Sequence, residues 1–102
     1  MHLFVFYAPE SHLDSVNNAL FECGAGKYKN YDRCCWQTEG EGQFRPLEGS
    51  SPFSGKPGEI ERVKEFRVEM LCEDKDVDGL ISKLKQYHPY EEPAYHALKI
   101  II

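Results

Sequence analysis

His88-Pro89-Tyr90-Glu91-Glu92-Pro93-Ala94-Tyr95 is the stretch from which the fold is read. Pro89 pushes His88 out of the α region, so a helix arriving from the N-terminal side has to stop there. Pro93 bars a new helix, and five of the nine residues 94–102 are Leu, Ile or Tyr, so the chain leaves as a strand over 94–102. The result is a stiff turn with two carboxylates and a tyrosine between its prolines, flanked by His88 and His96.

Moving back from the turn, Val77, Leu80, Ile81 and Leu84 recur at i, i+3, i+4 and i+7, the stripe of an amphipathic helix, with Asp74 or Asp76 available as its N-cap. Before it, Phe66, Val68, Met70 and Cys72 alternate with Glu65, Arg67 and Glu69, which reads as a strand with one apolar face. The N-terminal half repeats the order. Leu3-Phe4-Val5-Phe6-Tyr7 has the continuous apolar character of a central strand, and Pro9 ends it. Ser11 can cap a helix carrying Leu13, Val16, Leu20 and Cys23, which Gly24 and Gly26 close. A second strand is expected around 31–38. The two halves echo each other, because Val5 and Val68 are 63 positions apart and Leu13/Val77, Val16/Leu80 and Leu20/Leu84 are each 64 apart.

The span 39–58 differs, holding five of the eight glycines and three of the six prolines. It predicts an irregular insert, with Gln43-Phe44-Arg45-Pro46-Leu47 folding back on the second strand around a Gly40-Glu41-Gly42 tip. So long a loop in a chain of 102 residues is uncommon unless functional. The whole order is β-α-β, hairpin or loop insert, β-α-β. With right-handed crossovers, this gives an α+β, ferredoxin-like sandwich in one domain over 1–102, a four-stranded antiparallel sheet with both helices on one face. The other face would stay apolar and open, and Ile100-Ile101-Ile102 adds a sticky end. A closed homo-oligomer is therefore expected.

Bulk composition excludes some partners. With 41% apolar and 28% charged residues and a net charge of −5, the chain lacks the clustered Lys and Arg that nucleic acid or an anionic membrane requires. No apolar run approaches the roughly 18 residues of a membrane span, and no signal-peptide pattern follows Met1. The expected setting is the cytoplasm. Cys23, Cys34, Cys35 and Cys72 form no CxxC and read as small buried hydrophobes in a reducing compartment. Trp36 reads as a core or interface anchor.

The turn His88-Pro89-Tyr90-Glu91-Glu92-Pro93 resembles that of the CutA-type divalent-ion tolerance proteins, trimeric relatives of the PII signalling proteins. A longer series looks like the PII/CutA-like domain inserted in YqfO-type proteins of the GTP cyclohydrolase type 2-like, dinuclear-metal family. It comprises Gly24-Ala25-Gly26, Asn30-Tyr31-Asp32 with Cys34, Gly40-Glu41-Gly42 with Phe44-Arg45-Pro46-Leu47-Glu48-Gly49, and the turn itself. The match covers nearly all of residues 2–100 in order. It implies the fold, a trimer, and a regulatory or ligand-sensing role. In that family the two metals belong to flanking domains that this sequence does not contain, so a metal-dependent hydrolase label comes by name only. The long modification loop of PII proper is missing.

Three residue sets are candidate sites. His88, Glu91 and Glu92, with His96, could ligate a divalent metal such as zinc or copper. Alternatively, His88 ends the helix and the carboxylates accept hydrogen bonds within the turn. Arg45, with Lys56 and Arg33, could bind an anion such as a nucleotide phosphate, or pair with Glu48 or Asp32 to hold the loop. Asn30, Tyr31 and Asp32 could shape a turn, or line a cleft between subunits with Tyr90 and Tyr95. A Cys34 or Cys35 thiolate paired with His88 or His96 would require the fold to bring them together. The expected function is a non-catalytic regulatory module that senses a metal or small ligand. A protein-interaction module is the alternative.

Overall fold

A computed structural model describes all of residues 1–102. Strand β1 (His2–Pro9) leads through a short 3₁₀ turn, Glu10–His12, into helix α1 (Leu13–Glu22). Strands β2 (Trp36–Phe44) and β3 (Glu61–Cys72) follow. A second 3₁₀ turn, Asp74–Asp76, opens helix α2 (Val77–Tyr87), and β4 (Tyr95–Lys99) ends the sheet. The four strands lie in the order β2-β3-β1-β4, every neighbouring pair antiparallel. This is the ferredoxin-like α+β arrangement expected from the paired β-α-β units.

Alternation decides the two sheet faces. Phe4, Phe6 and Ala8 of β1 stand opposite Met70, Val68 and Phe66 of β3. Their side chains meet Leu13, Val16 and Leu20 of α1 and Leu80 and Leu84 of α2 in one core. Phe4, Phe6, Leu20, Leu80, Leu84 and Val68 are fully buried, and each such side chain stabilises the fold by about 1.5–3 kcal/mol. The opposite face has no helix over it. It presents the row Leu71-Leu3-Leu98 and, one step along, Trp36-Glu69-Val5-His96.

Several local expectations are corrected. Gly40-Glu41-Gly42 is no hairpin tip, because β2 runs straight through it to Phe44 and pairs with β3, Phe44 opposite Glu61. The irregular insert is therefore residues 45–60, and the second strand begins at Trp36 rather than near Tyr31. Neither helix has a side-chain N-cap. Ser11 instead faces His12 Nδ1 at 2.9 Å, and Asp74 is drawn to the Met1 ammonium at 2.6 Å, His2 at 2.8 Å and Lys99. Cys34 and Cys35 are exposed, Cys23 is half-buried, and only Cys72 is buried. The adjacent pair precedes β2, where no core covers it. Trp36 is 68% exposed, which removes the core alternative.

Candidate functional site

Helix α2 stops where Pro89 requires. His88 adopts an extended conformation while its N–H still reaches Leu84 O at 2.8 Å. Its ring turns inward and is buried. Nδ1 accepts the Tyr90 N–H at 3.1 Å, so the ring proton sits on Nε2, which donates to Tyr7 O at 2.6 Å. One imidazole thus fixes the turn to the central strand. Burial holds the His88 pKa below its ordinary value; the bond to Tyr7 O opposes that shift, and His12 adds to it.

Residues 45–60 fold back onto this turn. Gly58 N–H donates to Pro46 O at 2.8 Å, closing the loop on itself. Ser51 N–H donates to Glu91 Oε2 at 3.0 Å, tying loop to turn. Aromatic contacts complete the join: Tyr90 lies 6.2 Å from Phe44 and 6.1 Å from Phe53, and Phe53 meets the His12 ring edge-on at 5.4 Å. Between loop, turn and sheet lies a cleft of about 340 Å³, within the range of small-molecule sites. Tyr7, Phe44, Phe53 and Tyr90 supply its aromatic lining and Glu65, Glu91 and Glu92 its carboxylates, while no Lys, Arg or His lines it. Burial, then hydrogen bonding to Glu65 and the Glu65 and Glu61 charges, push the Tyr90 phenol well above its ordinary pKa. Its hydroxyl is shut off from solvent beside the Glu65 carboxylate, without closing a hydrogen bond of full geometry. Behind the cleft, Arg67 donates to Tyr7 Oη at 2.8 Å and is itself paired with Glu69 at 3.3 Å.

The structure unites some of the candidate residues and separates others. Tyr90, Glu91 and Glu92 line the cleft. His88, Glu91 and Glu92 form no ligand set here: both His88 ring nitrogens are engaged, and no three His, Cys, Asp or Glu side chains converge in metal-holding geometry. His96 lies on the open sheet face, opposite Val5. Arg45 is exposed, makes no ion pair and does not line the cleft. Arg33 lies over the Phe21 ring at 5.7 Å, and Lys56 borders a shallow depression with Glu59 and Glu61, so no three-cation anion site assembles. Asn30, Tyr31 and Asp32 follow the turn reading. Tyr28 and Tyr31 exchange backbone hydrogen bonds of 2.9 and 3.0 Å, and Lys29 between them takes a positive φ of 52°. That turn is pinned to the other end of β3 by Gly26 N–H to Leu71 O at 2.8 Å. Leu71 lies about 20 Å along the strand from Glu65. Tyr95 packs beside Phe4 at 6.2 Å, on the core side. The Cys34 Sγ faces Asp32 O at 3.6 Å, and partial burial together with Cys34 raises the Cys35 thiol pKa, which disfavours its thiolate.

Tyr7, Phe44, Phe53 and Glu65 were not singled out as site residues by sequence. The available signal was Phe53, a large aromatic inside a Gly/Pro-rich segment that has no core of its own. Glu65 reads simply as the polar side of β3.

With the fold and cleft in place, the relationships of the chain are definite. No protein-family model matches it. Among curated proteins it is 41% identical over 98 residues to the GTP cyclohydrolase 1 type 2 homolog of Mycobacterium leprae, covering 96% of this chain and 26% of that protein. It is 38% identical over 95 residues to the one of Halalkalibacterium halodurans, covering 93% of this chain and 26% of that protein. Among solved structures, a Bacillus cereus protein related to NIF3 superimposes with a TM-score of 0.81 at 35% identity, over 95% of this chain and 24% of that one. CutA1 from Pyrococcus horikoshii superimposes with a TM-score of 0.71 at 18% identity, over 98% of this chain and 83% of that one; at that identity the likeness concerns the fold. The chain has the PII/CutA-like fold. In sequence it is similar to one part of the GTP cyclohydrolase 1 type 2 homologs, and it spans about a quarter of the length of the curated relatives it matches.

Proposed function

We propose that the chain is a non-catalytic, ligand-sensing regulatory module whose small ligand sits in the cleft between residues 45–60 and the turn 88–94. The observation that carries this reading is the convergence of two irregular segments, joined by the Ser51–Glu91 bond, around a cavity of about 340 Å³. A ligand touching both would register at Tyr90, and through His88 at Tyr7 on the central strand. Nothing in the cleft supports nucleophilic catalysis: the Ser50 hydroxyl donates to Leu47 O at 2.7 Å, and His88 has no free nitrogen to act as base. The cyclohydrolase in the relatives' name refers to proteins of which this chain spans 26%, and we do not assign that chemistry to this cleft. A zinc or copper ion belongs to this reading only where His88 releases Tyr7 and Tyr90 to join Glu91 and Glu92. Arg45, Asn30, Tyr31, Asp32 and Tyr95 would enter a ligand site only from a neighbouring chain in a homo-oligomer, with a trimer favoured and the cytoplasm as its setting.

The open sheet face, with Trp36 68% and Leu98 49% exposed, favours a second reading as a protein-interaction module. Native mass spectrometry with zinc, copper, ATP and simple amines, followed by NMR of the binding cases, separates the two. The sensor reading expects one equivalent per chain, with shifts concentrated at Phe53, Tyr90 and Glu91. A protein silent to every probe, or shifts confined to the Trp36 face, would favour the interaction module.

A further inference from the structure

The chemistry of the cleft selects among ligand classes. Three carboxylates enter its lining, from β3 and from both glutamates of the turn, with no lining cation to balance them. The Arg67 guanidinium stands behind Tyr7 and is matched by Glu69. An anionic ligand would therefore meet uncompensated negative charge, whereas a cation would lower the local repulsion. The remaining lining is aromatic and apolar, and the negative faces of Tyr and Phe rings attract ammonium and guanidinium groups. Ser51 N–H occupies one oxygen of Glu91, and the shielded Tyr90 hydroxyl lies beside Glu65. A ligand with N–H donors and a small apolar body would answer all of these features at once.

We infer that the cleft of Tyr7, Phe44, Phe53, Tyr90, Glu65 and Glu92 binds a small organic cation, an alkylammonium or guanidinium compound, rather than a nucleotide or other phosphate. The inference rests on the ligand-sensing reading and narrows it. Selectivity comes from the carboxylates, and fit from the rings. Because loop and turn both contribute, a bound cation links Glu91 and Glu92 of the turn to Phe53 of the loop.

The test uses the intact chain and four probes followed by NMR titration: choline, its neutral carbon analogue, agmatine and ATP. At least one of the two cations is expected to shift Phe53 and Tyr90 saturably, and choline to bind about tenfold more tightly than its carbon analogue. Added salt should weaken the binding, since part of it is charge attraction. Glu65→Gln with Glu92→Gln should reduce cation affinity about tenfold while the far-UV spectrum and melting curve stay those of the parent. Equal binding of the neutral analogue, tighter binding of ATP, or indifference to the double substitution would overturn the cation assignment and leave the cleft as a ligand site. If no probe of either charge shifts Phe53 or Tyr90, the cation assignment and the ligand-sensing reading fail together.

Discussion

From inside the protein, His88 bonds the carbonyl of Tyr7, 81 positions away, and the N–H of Tyr90 in its own turn. Replacing it with Ala strands both backbone groups away from water, and a loss of about 1–3 kcal/mol in stability is expected from denaturant titration. The same ring sets a pH dependence. Its folded pKa is held below the ordinary 6.5 by burial. As pH falls below 6.5, the unfolded chain takes up a proton that the folded chain refuses until its own lower pKa is reached, so stability declines over that interval. Asp74 behaves differently. Its carboxyl, bound chiefly by Lys99 and also by the Met1 ammonium, is held well below its ordinary 3.8, so its contribution is complete above 3.8 and lost only under stronger acid. It is also solvent-exposed, so screening keeps it small. Unfolding at about pH 7.5 and about pH 5.5 therefore isolates the histidine: His88→Gln should flatten the decline seen in the parent, while Asp74→Asn should leave it in place.

Among the elements, β2 and the loop after it differ most from what the sequence suggests. Gly40 and Gly42 carry the composition of a turn, yet both lie in an edge strand whose pairing with β3 fixes them. At Gly42 the missing side chain has a specific use. The Glu65 carboxylate lies over it, its nearest oxygen only 1.7 Å from where a Cβ would stand. Gly42→Ala should therefore move a flexible side chain rather than the backbone, keeping stability within about 1 kcal/mol of the parent while displacing Glu65 from the cleft. Parallel melting curves with altered NMR signals at Tyr90 would establish it; an unchanged Tyr90 environment would refute it. By contrast, the β3 alternation, the α2 stripe and the proline-bounded turn were legible, because each pattern matches the period of its element and needs no distant partner. Phe53 and Glu65 acquire their roles only when the 45–60 loop closes on the turn. Strand pairing and the Ser51–Glu91 bond bring that about, and local sequence does not encode either.

At the scale of the whole molecule, the sheet is half covered. Both helices pack on one face, and the other carries Leu71, Leu3 and Leu98 side by side, with Trp36 exposed on the outermost strand. Val5 on this same face is fully buried by its neighbours, but Leu98 is 49% and Trp36 68% exposed. An apolar surface of this kind next to two free strand edges costs solubility in a monomer, and a closed homo-oligomer removes it. The expected outcome is a concentration-dependent assembly by sedimentation, in which the emission of the single tryptophan shifts to the blue as Trp36 leaves water. Leu98→Glu places a charge in that apolar row and should release monomers whose melting curve and Tyr90 signals remain native, because Leu98 takes no part in the core. Trp36→Ala should weaken assembly by about 2 kcal/mol or more if the ring is an interface anchor. A parent protein that sediments as a monomer at every concentration would remove the oligomer, and with it any ligand site completed by Arg45 or Asp32 of a second chain. The cleft of Phe53 and Tyr90 would be untouched by that result, since a single chain builds it.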